Sequence, residues 1–192
     1  TEDKTGSMGF VDKNPKTEDE VKMDLDITDN IYVRPLLPLD VPNILRLETE
    51  EFYFSINGHP WSKETLAEIM NQRHTGGLAI EYIPDGLKTN KQFCGFLIYT
   101  FEEGCAIIQR MITCPQGKGL GFFLLNSFEA NLPRKSDFEL LVAVKETDDR
   151  SQEAFGAWGF EEGELIEPES YNPEDLGTYI SYSKEIKEEH YL

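Results

Sequence analysis

Bases are scarce in this sequence: 18 Lys and Arg stand against 36 Asp and Glu, a formal charge of −18. A field of that sign repels phosphates, which excludes a broad nucleic-acid or anionic-membrane surface. It attracts cationic substrates, or serves solubility alone. Cysteine is equally sparse. Cys94, Cys105 and Cys114 are widely spaced, with no Cys-x-x-Cys and no histidine pair beside them. Such an odd set forms neither a disulfide framework nor a zinc site, and no metal is expected. The thiols read as those of a reducing cytoplasm. No apolar run reaches the length of a membrane span. The first residues are too acidic and polar for a secretory signal. Internal repeats and low-complexity tracts are absent.

What remains is a chain of 192 residues, enough for one domain with a full hydrophobic core. Residues 1–30 read as an acidic arm. Within it, Val21, Met23, Leu25 and Ile27 alternate with polar residues, the period of an extra edge strand. Residues 31–192 are expected to form the single domain. Ile31 to Arg34 reads as a strand. Asp40 stands where it can cap a helix carrying Val41, Ile44, Leu45 and Phe52, and Ser62 opens a second with Leu66, Ile69 and Met70. Gly76-Gly77 is expected to end that helix. Leu78–Ile83, Phe93–Phe101 and Ala106–Cys114 read as an antiparallel meander. Leu120, Leu124, Phe128 and Leu132 recur at helical spacing. Phe138–Val144 is an apolar run, as in a strand buried on both faces. A short helix over Arg150–Trp158 and strands at Phe160–Ile166 and Thr178–Ser183 close the chain. The order is β-α-α-β-β-β-α-β-α-β-β, a mixed α/β (α+β) fold.

The segment richest in chemical information is Met111-Ile112-Thr113-Cys114-Pro115-Gln116-Gly117-Lys118-Gly119-Leu120-Gly121. A strand runs into a glycine-rich turn that opens a helix. Glycine permits a sharp turn and close approach of a ligand. The helix start adds unpaired N–H groups and the positive end of the dipole. Together they suit a phosphate or diphosphate, although the same residues also suit an ordinary β-α turn. The turn is not a Walker loop, which needs Gly-Lys-Ser/Thr. Nor is it a dinucleotide fingerprint, which belongs early in a parallel sheet.

Gln116-x-x-Gly119-x-Gly121 resembles the Gln/Arg-x-x-Gly-x-Gly/Ala signature of the GNAT acyltransferases. Residues 150–160, ending Trp-Gly-Phe, resemble that family's late helix. Arg34-Pro35-Leu36 with Asp40, and Pro60 to Thr65, resemble the N-terminal part of the RimI-type ribosomal-protein N-terminal acetyltransferases. The likeness covers roughly residues 31–184. It implies a mixed, mostly antiparallel sheet of about seven strands with about four helices, acetyl-CoA as cofactor, and acetyl transfer to a primary amine. It also implies that Met111, Ile112 and Thr113 hold the pantetheine arm and acetyl carbonyl. Gln116, Gly117, Lys118, Gly119, Leu120 and Gly121 would hold the diphosphate. The connection from Pro115 to Gln116 is about two residues shorter than is usual.

The family's catalytic seats are filled differently here. A strand glutamate, an asparagine and a helix tyrosine are replaced by Ala143, Asp148 and Phe155. Asp148 keeps the role of a helix cap. A dedicated base is dispensable, because an ammonium of pKa ~8 to 10 can pass its proton to water. Candidate groups on the substrate side are Glu50, Glu51, His59, Glu102 and Tyr171. His59 reads better as a solvated loop residue, and Glu50 and Glu51 as surface acids. Tyr171, before the last strand, is the candidate for a catalytic or cleft-shaping role. Trp61 and Trp158 read as core. Two functions follow from the resemblance: an acetyl-CoA-dependent N-acetyltransferase for a cationic amine, a protein N-terminus included, working by direct attack; or a catalytically weakened coenzyme A-binding relative with a regulatory role. Either is expected as a cytoplasmic monomer or homodimer.

Overall fold

The computed structural model describes residues 30–50, 60–84, 90–132, 137–166 and 177–187. The expected arm at 21–27, the residues Glu51 and His59, and Tyr171 lie outside them. Among the described residues the elements are β1 (Ile31–Pro35), a 3-10 turn (Pro38–Asp40), α1 (Val41–Thr49), α2 (Lys63–Met70), β2 (Thr75–Tyr82), β3 (Gln92–Glu102), β4 (Cys105–Thr113), α3 (Leu120–Ala130), β5 (Phe138–Lys145), α4 (Asp149–Ala157), β6 (Glu161–Ile166) and β7 (Tyr179–Ile186). This is the expected order.

The strands form one seven-stranded sheet in the order β1-β2-β3-β4-β5-β7-β6. Neighbours are antiparallel except β4 and β5. A parallel pair needs a crossover connection, and α3 supplies it. On one face of the sheet, Ile44 and Leu47 of α1 and Leu66 and Ile69 of α2 pack with Trp61 over Phe96, Ile98 and Ile112. On the other face, Leu120, Leu124, Leu125 and Phe128 of α3 and Phe155 of α4 meet Leu97, Ile108, Leu140, Val142 and Tyr182. No described helix is long and apolar enough to cross a membrane.

Three local expectations need correction. β5 is buried on one face only: Phe138, Leu140, Val142 and Val144 are buried, while Glu139 and Ala143 are exposed. The reason is that α1 and α2 pack over β2, β3 and β4 and stop short of β5. Gly76 and Gly77 do not end α2, which stops at Met70. They lie inside β2 because neighbours press on them: a Cβ would come within 2.5 Å of the Tyr99 hydroxyl at Gly76 and 2.8 Å of Leu36 at Gly77. Asp40 makes no side-chain cap to α1. Its carboxylate accepts two 2.8 Å hydrogen bonds from Arg34 and one from the Leu37 N–H. Arg34 also donates to Glu81 of β2 at 2.7 Å, so Asp40 locks the α1 entry to the sheet edge. Ser62 does cap α2, its Oγ accepting the Thr65 N–H at 3.0 Å.

Candidate active site

β4 leaves its parallel partner halfway along. The ladder joins Cys105–Ile108 to Glu139–Val142 and ends there. At the same level the β3 register shifts: Ile98 faces Arg110 and Tyr99 faces Ile108, so Gln109 is an extra, bulged residue. A bulge bends its strand and increases the twist. Beyond Gln109 the sheet therefore opens between β4 and β5, and Met111, Ile112 and Thr113 border the opening.

That opening is a cleft of about 230 Å³. Its first wall is Met111, Ile112 and Thr113. Its second is the glycine turn, with Gln116, Gly117, Gly119, Leu120 and Gly121. The third is one face of α4, where Arg150, Ser151, Ala154, Phe155 and Trp158 recur at helical spacing. Eight of the nine residues expected to hold a coenzyme line this one cleft. Lys118 belongs to the same turn and is not among the lining residues. Trp158, read from the sequence as core, is half-buried and lines the cleft.

The turn has the backbone an anion cradle requires. Gly117 and Gly119 both hold positive φ, 74° and 77°, a conformation that costs other residues strain. Gly119 is also the N-cap of α3, and no side chain caps its first turn. The N–H groups at that helix start thus keep their capacity for an anion. A Cβ on Gly119 would meet nothing within 4 Å, so the space before it is open. Beside it, the side-chain oxygen of Gln116 is buried without a hydrogen-bond partner. Buried polar atoms are ordinarily paired, and an orphan in a cleft wall marks a place for a ligand donor. These residues fit the phosphate end of a coenzyme.

Electrostatics favour the same ligand. None of the described residues lining the cleft is acidic, in a chain of charge −18, and the one charged residue among them is Arg150. It stands in the first turn of α4, whose start is fixed by Asp148: the carboxylate accepts the Ser151 N–H at 3.1 Å. Gln152 ties the same turn to the end of β5 through the carbonyls of Lys145 and Glu146.

On the opposite face, Arg110, next to the bulge, donates through Nε and Nη2 to Glu48 of α1, both at 2.7 Å. Its guanidinium stands 4.8 Å over the Trp61 ring, and the Trp61 backbone N–H reaches the same carboxylate at 3.4 Å. Glu48 is 2% exposed. Neither Glu48 nor Arg110 was expected from the sequence, because they are 62 residues apart. The trio fastens the C-terminal turn of α1 and the start of α2 to the point where β4 bends.

Other candidates are placed elsewhere. Glu50 is paired with Arg46 at 3.0 Å. Glu102 faces Cys105 at the far end of β3, whereas the cleft lies at the Gly95–Thr113 end. Ala143 is exposed on β5 and is not among the lining residues. Phe155 is in the cleft wall, 5% exposed. Among the described residues no cluster of His, Cys, Asp and Glu could hold a metal, and Cys94, Cys105 and Cys114 are free thiols. Burial pushes the Cys94 thiol up to about 11.

Solved structures of acetyltransferases share this fold. The chain superposes on the ribosomal-protein-S18-alanine N-acetyltransferase of Escherichia coli with a TM-score of 0.64, 18% identity, and coverage of 84% of this chain and 99% of that one. An acetyltransferase from Thermus thermophilus gives 0.63, 19%, 82% and 97%. The spermidine N-acetyltransferase of Vibrio cholerae, solved with CoA and spermine, gives 0.61, 16%, 81% and 95%. The sequence matches no family model and no curated protein. The chain has the GNAT acetyltransferase fold.

Proposed function

We infer that the protein is an acetyl-CoA-dependent N-acetyltransferase acting on a primary, cationic amine such as a peptide N-terminus, a lysine or a polyamine. The observation that carries this reading is the parting of β4 from β5 at Gln109, with the Gly117–Gly121 turn at the head of the gap. Met111, Ile112 and Thr113 would hold the pantetheine arm, and the turn with Gln116 and Lys118 the diphosphate. When bound, acetyl-CoA supplies an acyl thioester already activated toward amines. The protein's part is to hold amine and thioester together, which converts a two-body reaction into a one-body one. The walls of the cleft also limit water around the thioester. The acidic surface raises the local concentration of ammonium substrates, and bulk water can take the proton that the attacking amine must lose. Tyr171 is the proposed shaping residue on the acceptor side.

A second reading has an observation of its own. Phe155 presents a ring without a hydroxyl to the cleft, where the resemblance places a proton donor. That favours a slow enzyme, or a coenzyme A-binding protein with a regulatory role. One experiment tests both. The protein is incubated with acetyl-CoA and a panel of peptides, polyamines and lysine derivatives, with free thiol and melting temperature recorded. A raised melting temperature with amine-dependent thiol supports transferase; a raised temperature without thiol supports the binding protein. A melting curve unmoved by millimolar CoA would refute both.

A further inference from the structure

We propose that Arg150 is the cationic jaw of a diphosphate clamp whose other jaw is the Gly117–Gly121 turn, and that this clamp makes the protein select diphosphate-bearing forms of the coenzyme over phosphate-free pantetheine. The proposal rests on the coenzyme reading above and adds a specificity residue to it. Three observations converge. A Cβ built on Gly117 would lie 3.4 Å from Arg150 Nη2, so the guanidinium faces the turn at contact range. Among the described residues that line the cleft, Arg150 is the one that is charged, and none is acidic. It makes no ion pair with any described residue, whereas Arg34, Arg46, Arg110 and Lys184 are each committed to a carboxylate.

Arg150 is exposed, so its guanidinium is free to take up an anion at the cleft wall. The helical turn that carries it is anchored. Asp148 caps the α4 turn that carries it, Gln152 staples that turn to β5, and Phe155 and Trp158 pack one to two turns further along. The guanidinium is a planar fork suited to two phosphate oxygens at once. The α3 start offers N–H donors from the other side. A diphosphate between them would meet donors from two elements, and a neutral pantetheine would meet neither.

The test is calorimetric titration of the full chain, as wild type, Arg150→Ala and Arg150→Lys, with CoA, dephospho-CoA and pantetheine. Arg150→Ala is expected to weaken CoA and dephospho-CoA alike, roughly tenfold, and to leave pantetheine unchanged. Arg150→Lys should recover part of the loss, as a point charge replaces the fork. An equal loss for pantetheine would show that Arg150 only shapes the wall, and overturns the clamp. A loss for CoA but not dephospho-CoA would place Arg150 on the 3′-phosphate instead, and also overturns it, as does no loss at all. Wild type that binds none of the three ligands refutes the coenzyme reading itself, a result separate from any effect of the substitutions.

Discussion

The indole of Trp158 lies across Gly121: a Cβ on that glycine would stand 3.0 Å from indole Cη2 and 3.8 Å from Met111 Cε. The glycine therefore lets α3 start close against α4, which sets the width of the cleft between them. Gly119, two residues earlier, is needed for a different reason, its positive φ in open space. Gly121→Ala is expected to cost about 1–3 kcal/mol in denaturant unfolding, through overpacking. Gly119→Ala should cost about 1 kcal/mol, through backbone strain alone. The reverse order would show that Trp158 yields freely.

Much of this arrangement is legible in the sequence. The meander, the glycine turn and the α3 stripe each follow a local rule, strand alternation, positive-φ glycine or 3.6-residue spacing, that tertiary contacts then reinforce. The parting of β4 from β5 is not legible in the same way. Its one trace is the polar Gln109-Arg110 pair, which interrupts the apolar run from Ala106 to Ile112, and nothing local says that it marks a bulge. Gly76-Gly77 misleads because the reason for it is remote, the Tyr99 ring and Leu36 lying on the strand. Arg150, Ala154 and Trp158 do share one helical face, a signal available from spacing, but only the fold shows that this face looks onto the turn.

Glu48 and Arg110 form a bidentate pair with side chains 1% and 12% exposed. Removing one partner strands the other's charge. Arg110→Ala is therefore expected to lose about 3–5 kcal/mol of stability. The double variant Glu48→Leu/Arg110→Met should recover most of that, since it leaves no buried charge. Denaturant midpoints of the single and double variants check this. Strictly additive losses would mean that the pair is not coupled.

Asp40 gives the fold an acid-sensitive lock. Burial would raise its pKa, but Arg34 and the Leu37 N–H outweigh that and hold the carboxyl below its ordinary 3.8. A group with a depressed folded pKa stabilises fully above its unfolded value, and loses that contribution as pH falls through the folded one. Wild-type melting temperature should thus fall below about pH 4. Asp40→Asn, which keeps an acceptor for Leu37 but removes the charge opposite Arg34, should be less stable at neutral pH by about 1–3 kcal/mol. The gap between the two proteins should narrow toward pH 2. A constant gap from pH 7 to pH 2 would assign the lock to other groups.

Acceptor capture should depend on salt. With a net charge of −18, the protein attracts ammonium groups over a range that ions shorten to about 8–10 Å near physiological strength. The Michaelis constant of a polycationic acceptor should rise as salt increases from low to physiological levels, while that of a neutral-flanked peptide N-terminus should change little. Equal salt dependence for both acceptors would rule out steering by the surface field.

On the transferase reading, Phe155 is expected to limit the rate. Its ring is 5% exposed and meets Trp158 and Phe160 edge-on at 5.2 and 5.1 Å, yet it borders the cleft. A thiol has a pKa near ~8.5, so the coenzyme sulfur can leave as thiolate near neutrality, without help and at a cost in rate. General-acid assistance is worth about 10²–10⁴-fold. Phe155→Tyr adds one hydroxyl to the ring, and its destination can be read from stability. A hydroxyl buried in the aromatic wall would lack a partner and cost about 1–3 kcal/mol. One that projects into the cleft would be solvated and cost little. The expected result is an unchanged denaturant midpoint together with faster amine-dependent thiol release. An unchanged midpoint with unchanged turnover would show that the hydroxyl reaches the cleft but not the sulfur, and that protonation of the leaving group does not limit this protein.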